Sequence, residues 1–67
     1  MKTTKATVAN INMAAMFTTN TAALKKLRDA LDEGKCVERI ETTISDAGSD
    51  YVAFKIEGVE VLRINGY

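Results

Sequence analysis

The 67-residue chain has no histidine, no tryptophan and no proline, and it has a single cysteine. Without an imidazole, it has no side chain whose ordinary pKa suits general acid–base catalysis at neutral pH. A lone thiol makes no intramolecular disulfide, and a zinc site needs about four Cys, His or carboxylate ligands. We therefore predict a protein that is not an enzyme and that carries neither a cofactor nor a metal.

Charge and hydropathy indicate which partners and which cellular compartment to expect. Nine basic and nine acidic residues cancel, whereas proteins that bind nucleic acid usually carry a basic excess. No apolar run approaches the roughly 20 residues of a membrane span. The first residues, Met1 to Lys5, precede no apolar segment of a secretory signal, and a single thiol is typical of a reducing compartment. The expected setting is the cytoplasm, with no membrane contact.

The chain length limits how stable the fold can be. Sixty-seven residues form one domain, 1–67, which buries only about 60% of the surface that the unfolded chain exposes. Domains of this size often gain stability from a disulfide, a metal or a partner. With the first two excluded, a homodimer or a complex with another protein is expected to be about as common an outcome as a monomer.

The clearest secondary-structure pattern predicts a helix over residues 20–33. Its apolar residues recur at spacings of three and four, as one face of a helix requires: Ala23, Leu24, Leu27, Ala30 and Leu31. Thr19 or Asn20 can cap the first turn, and Gly34 follows the last turn, where a left-handed residue is favoured.

The segment before this helix, Lys2 to Met13, is rich in Thr, Val and Ile and predicts a strand. Its alternation is imperfect, which a bulge or burial of both faces would reconcile. The following residues, 13–17, either extend the helix backwards or form an apolar connection.

The second half of the chain predicts a three-stranded antiparallel meander. Its strands run from Cys36 to Ser45, from Tyr51 to Ile56 and from Val59 to Asn65, with turns at 46–50 and 57–58. Val52, Phe54 and Ile56 are expected to face inward. Symmetric closure of the first turn would set Ile44 opposite Val52, Thr42 opposite Phe54 and Ile40 opposite Ile56.

The last strand has apolar residues on both sides. Val59 and Val61 alternate in phase with each other, but Leu62 and Ile64 fall on the opposite side. Either a bulge shifts the phase, or the outer face is buried against another chain. The predicted fold is α+β, in the order β-α-β-β-β, with one helix packed on a mostly antiparallel four-stranded sheet.

Three groups of residues are candidates for chemistry. Asp46, Ser49 and Asp50 could hold a metal weakly, but their spacing fits no established loop, and turn residues explain them better. The acidic end of the helix is expected to be a solvated face. Cys36 has no neighbouring base and is predicted to be a buried small residue on the side of Ile40.

The helix charges run against the usual preference. Lys25, Lys26 and Arg28 come first and Asp29, Asp32 and Glu33 last, although cations favour the C-terminal end of a helix. Pairs such as Lys25–Asp29 and Arg28–Asp32 have the spacing that offsets part of this cost. Such a face is either a binding surface or simply solvated.

The tetrapeptide Arg39-Ile40-Glu41-Thr42 opens the first strand of the meander. Together with the order of the elements, it resembles small phage-encoded type I-F anti-CRISPR proteins. The resemblance implies a viral inhibitor that binds a larger host complex stoichiometrically in the host cytoplasm. It identifies no functional residue.

We therefore predict a non-enzymatic protein that binds and inhibits or modulates a host protein complex. The expected contacts lie on the exposed helix face and the outer sheet face: Lys25, Lys26, Arg28, Asp29, Asp32, Tyr51, Ala53, Lys55 and Leu62. Pairing at a sheet edge is another route. The alternative is a small nucleic-acid-binding module that would use Lys2, Lys5, Lys25, Lys26 and Lys55, with Tyr51 or Tyr67 for base stacking.

Overall fold

The computed structural model describes residues 2–42 and 50–65, and these form two helices and four strands. In chain order they are β1 (Lys2–Lys5), α1 (Val8–Ala14), α2 (Thr21–Asp32), β2 (Val37–Thr42), β3 (Tyr51–Ile56) and β4 (Val59–Asn65). The strands make one antiparallel sheet in the order β1-β2-β3-β4. The predicted α+β class and four-stranded sheet are confirmed. The predicted one-helix order is wrong, because α1 lies between β1 and α2.

Helix α2 matches its prediction closely. Asn20 caps its start, since its Oδ1 accepts a hydrogen bond from the backbone N–H of Ala23 at 3.1 Å. Gly34, just past its end, has a φ of 77°, a left-handed conformation that glycine adopts without steric cost. The apolar stripe faces the sheet, with Leu31 half-buried and the other four residues buried.

Helix α1 replaces the second half of the predicted first strand. Thr7 and Asn10 form a capping box: Thr7 Oγ1 accepts from the Asn10 N–H at 3.3 Å, and Asn10 Oδ1 accepts from the Thr7 N–H at 2.9 Å. Ile11 and Ala14, three residues apart, are then fully buried on one face. Residues 15–17 form the turn that follows, so the 13–17 segment ends α1 rather than extending α2.

The register of β2 differs from the predicted one. Val37 pairs with Ile56, Arg39 with Phe54 and Ile40 with Ala53, whereas the prediction pairs Ile40 with Ile56. This is a shift of three residues, and an odd shift turns every side chain to the other face of the sheet. Val37 therefore enters the core beneath the helices, and Ile40 lies on the outer face, the face turned away from them. The expected strand end at 43–45 and the turn at 46–49 lie outside the described residues.

A β-bulge in β4 resolves its two-sided pattern. Phe54 pairs with Leu62 but Lys55 pairs with Glu60, so Val61 is the extra residue. Because of it, Val61 and Leu62 both face the helices although they are adjacent in sequence. Of the two alternatives left by the sequence, the bulge is confirmed. The expectation that Leu62 points outward is wrong.

The core lies between the helices and one face of the sheet. Its largest fully buried side chains come from both layers: Phe54, Ile11, Leu27, Val37 and Val52. Leu62 and Ile64 complete it from β4. On the outer face, Ile40 and Ala53 pair across β2 and β3 and are also buried, although they do not belong to this core.

We expect Thr7→Ala to lower the free energy of unfolding by about 1 kcal/mol, because it removes the capping box of α1. Urea denaturation measures the change. Thr19→Ala is the matched control, since Thr19 is exposed and is the N-cap of neither helix. Equal losses in the two variants would contradict the role assigned to Thr7.

The hairpin between β3 and β4 offers a stabilising substitution. Glu57 and Gly58 both have positive φ, 50° and 84°, which is the pattern of a type I′ turn. Glutamate is strained there, whereas asparagine tolerates this conformation. We expect Glu57→Asn to stabilise the protein by about 0.5 kcal/mol in urea denaturation. Glu57→Gln removes the same charge without the conformational preference, so it should have little effect. A gain as large with Gln would show that charge, not backbone strain, is responsible.

Candidate interaction surfaces

The exposed face of α2 forms a ridge on the surface of the helix layer. All five residues predicted as contacts on it are exposed: Lys25, Lys26, Arg28, Asp29 and Asp32. The expected ion pairs within the helix are not formed among the described residues. Arg28 instead donates a hydrogen bond from Nη2 to Asn12 Oδ1 at 3.2 Å, which joins α2 to α1. The ridge therefore brings these predicted residues together without pairing their charges with one another.

Two open grooves flank this ridge. The larger, of about 370 Å³, lies between α2 and the β3–β4 hairpin, and its floor is apolar, with Ala30, Ile56, Val59 and Val61. The smaller, of about 300 Å³, is lined by Val8 and Leu31 beside the ridge residues Arg28 and Asp32. Asp29 borders both grooves. Val8 and Val59 are 58% and 67% exposed, so each groove presents an apolar side chain to solvent.

A second surface lies where α1 ends and turns toward α2. Met13, Met16 and Phe17 are 50%, 76% and 54% exposed, and we call them the apolar tip. Backbone hydrogen bonds fix the turn, from the Met16 N–H to the Met13 carbonyl at 3.1 Å and from the Phe17 N–H to the Ala14 carbonyl at 2.9 Å. These residues are not among the contacts predicted from sequence. Their signal is an apolar run that continues past the last buried position of α1, Ala14.

The outer face of the sheet exposes fewer of the predicted contact residues than the sequence suggests. Tyr51 and Lys55 are half-buried, and Ala53 is 1% exposed. The Arg63 guanidinium lies over the Tyr51 ring, 4.2 Å from its centre. Leu62, at 5% exposure, lies in the core on the opposite face. Leu62 is therefore excluded as a surface contact, because the bulge turns it beneath the helices.

A row of alternating charge crosses this outer face. Lys5 pairs with Glu38, Glu38 with Lys55 and Lys55 with Glu60, one residue from each strand. Arg63 also binds Glu60, with Nη2 to Oε1 at 3.0 Å. Each of these basic side chains thus has an acidic neighbour, an arrangement that stabilises the sheet and gives the face no single sign of charge.

The basic residues proposed for nucleic-acid binding are not brought together. Lys25 and Lys26 lie on α2, whereas Lys5 and Lys55 lie on the outer face of the sheet. Lys2 pairs with Glu41, in the register that faces the helix side. Tyr67 lies outside the described residues. These residues therefore form no continuous basic surface.

The candidate chemical groups are also dispersed. Asp50 is exposed, and its proposed companions Asp46 and Ser49 lie outside the described residues. Within residues 2–42 and 50–65, no three His, Cys, Asp or Glu side chains converge as metal ligands would. Cys36 is exposed one residue before β2. Its predicted burial is wrong, because the strand begins at Val37 and Val37 takes the core position.

Comparison with models of known protein families, with curated proteins and with solved structures finds no match to this chain. None of the described helices is long and apolar enough to cross a membrane.

We expect the Cys36 thiol of the native protein to react with a chromogenic disulfide reagent in a single phase, at a rate close to that in denaturant, since access limits thiol reactivity. Absorbance of the released thiolate measures it. A large acceleration on adding denaturant would contradict the exposed position of Cys36.

Proposed function

We propose that this chain is a non-enzymatic protein-binding protein that inhibits or modulates a larger host protein complex. The apolar tip carries the proposal. Met13, Met16 and Phe17 lie within five residues and are each at least half exposed. Leaving such surface in water is unfavourable by roughly 25 cal/mol per Å², and a partner that covers it recovers this free energy.

The tip is well placed to bind without reorganising. Its residues lie on both sides of Ala14 in the chain, and Ala14 and Ile11 of α1 are fully buried. Further along, Ala23 and Leu24 of α2 are buried too. Segments held on both sides by a core lose little conformational entropy on binding. Methionine side chains also adapt to uneven surfaces. We infer that the partner presents an apolar depression into which Met16, the most exposed of the three, inserts.

The charges of α2 suggest which sign of charge the partner carries beside its apolar depression. Lys25 and Lys26 come in the second turn of the helix, the half that is nearer the tip along the chain. A partner with acidic residues beside its apolar depression would be attracted to this end of the molecule, which mainly accelerates association.

A phage origin rests on the resemblance of residues 39–42 and of the order of the elements. Arg39 and Glu41 lie on the helix side of β2 and form an ion pair, Nη1 to Oε2, at 2.9 Å. The Arg39 side chain is only 16% exposed. We assign this tetrapeptide a role in holding the sheet together rather than in contacting the host complex.

A protein partner is favoured over nucleic acid by the distribution of charge. Binding to phosphates requires basic residues on one surface, and here they are divided between two layers and interleaved with Glu38 and Glu60.

The test is capture of host proteins on the immobilised protein, comparing the wild type with Met16→Lys. We expect the variant to lose the captured partner, because a charge cannot enter an apolar depression without a large desolvation cost. Val59→Lys is the matched control: Val59 is similarly exposed, on the β3–β4 hairpin, and its variant should retain the partner. Leu62→Lys is unsuitable, since it would disrupt the core.

The same capture is repeated after nuclease treatment, and the purified partner is then titrated against the protein. Saturable binding in a fixed ratio, unaffected by nuclease, is the expected result. Capture that depends on nucleic acid would support the alternative module instead. A partner retained equally by Met16→Lys and the wild type would remove the apolar tip from the proposal.

A further inference from the structure

The charges on α2 are separated along its axis. Lys25, Lys26 and Arg28 come first, and Asp29, Asp32 and the C-cap Glu33 follow within the next five residues. The macrodipole of a helix is also positive at its start and negative at its end. The side chains therefore reinforce the dipole, which is unfavourable within a single chain, and they polarise the exposed ridge from end to end.

A single copy of the chain leaves this arrangement largely uncompensated. In the part of the chain that the structure describes, Lys25, Asp29 and Asp32 make no ion pair. The hydrogen bond that Arg28 donates goes to the neutral Asn12 amide. At the end of the ridge, Lys35 and Glu33 approach each other to 3.9 Å, and both are exposed.

We propose that a second copy of this chain packs on the ridge, with the two α2 helices antiparallel about a two-fold axis between Arg28 and Asp29. This register sets Lys25 opposite Asp32 of the second copy and Arg28 opposite its Asp29. Two-fold symmetry makes each contact occur twice. An antiparallel arrangement also aligns the two macrodipoles favourably, whereas a parallel one would bring like charges together.

The shape of the ridge suits this contact. Residues 25, 28, 29 and 32 recur at spacings of three and four, so they lie on one face of α2, and all four are exposed. A twelve-residue helix is about 18 Å long, which is enough for these four positions to meet their counterparts. The smaller groove beside them adds Val8 and Leu31 as apolar contacts at the margin. The interface is small and charged, so the dimer is weak and sensitive to salt.

A second copy is favoured over an unrelated partner because the ridge is complementary to itself. The two-fold axis sets two basic residues, Lys25 and Arg28, opposite two acidic ones, Asp32 and Asp29, in the second copy. A domain of this length also has little stability of its own, and self-association supplies some. The tip residues are not among those set opposite each other across the two-fold axis.

Sedimentation at low salt tests the proposal with Lys25→Glu, Asp32→Lys and their equimolar mixture. Each variant alone sets like charges opposite each other, so dimerisation should weaken at least about tenfold relative to the wild type. In the mixture, the glutamate introduced at position 25 of one variant faces the lysine introduced at position 32 of the other. The unchanged Asp32 and Lys25 also face each other there, so heterodimers should form and recover most of the lost association.

The matched control is Lys5→Glu, which makes the same change in net charge on the sheet as Lys25→Glu makes on the helix. It should dimerise like the wild type, because Lys5 lies on the outer sheet face, away from the ridge.

A mixture that associates no more than its separate components would overturn the proposal, as would a wild type that stays monomeric at the highest concentration reached. Dimerisation unaffected by either single variant would place the interface elsewhere and overturn it too. The proposal is independent of the apolar tip: Met16→Lys should still dimerise.

Discussion

The bulge in β4 determines which surfaces of this protein are apolar. Without the bulge at Val61, the strand would alternate strictly, and either Val59 and Val61 or Leu62 and Ile64 would lie on the outer face. With it, Val61, Leu62 and Ile64 all lie against the helices. The outer face is then left to Glu60 and Arg63, which bind each other. The strand β4 looks apolar on both sides in sequence, but the bulge places these apolar side chains on the helix side only. The pattern therefore gives no reason to expect another chain on the outer face.

This arrangement moves the candidate surfaces to the helix layer. The outer face carries alternating charge and a buried Ile40–Ala53 pair, so its described residues form neither a large apolar patch nor a surface of one sign. The helix layer has the polarised ridge of α2 and the apolar tip at the end of α1. Both features reduce the stability of an isolated chain, since the charges of α2 reinforce its helix dipole and the tip exposes apolar surface. Their presence in so small a domain is the physical argument for association.

The elements that can be predicted from sequence are those in which local signals agree. For α2, a cap at Asn20, a stripe of period 3.6 and Gly34 all indicate the same helix. For α1 they conflict. Thr, Val and Ile favour strands, and the capping box uses Asn10 in place of the more usual Glu or Gln, so the sequence predicts a strand where the helix lies. Its seven residues bury only Ile11 and Ala14, too few for a helical period to stand out. The hairpin at residues 57–58 is predictable because Gly58 marks a tight turn between two apolar strands.

Strand register and side-chain exposure depend on contacts between residues far apart in the chain, and the local sequence pattern does not predict these contacts. Val37 and Ile40 are both apolar and lie three residues apart, so either could enter the core with Phe54. Val37 enters the core because it follows closely on the turn from α2. The Ala6 N–H also donates a hydrogen bond to the Val37 carbonyl, at 2.9 Å, and this bond holds the connection between β1 and α1 next to Val37. That choice places Cys36 in solvent and Ile40 on the outer face. It also sets Arg39 and Glu41 on the helix side, where their ion pair fills a position that an apolar residue would otherwise occupy. The burial of Val37 therefore determines on which side of the sheet, or in solvent, Cys36, Arg39, Ile40 and Glu41 lie. Because this burial depends on long-range packing, the exposure of the thiol and of residues 39–42 cannot be predicted from sequence.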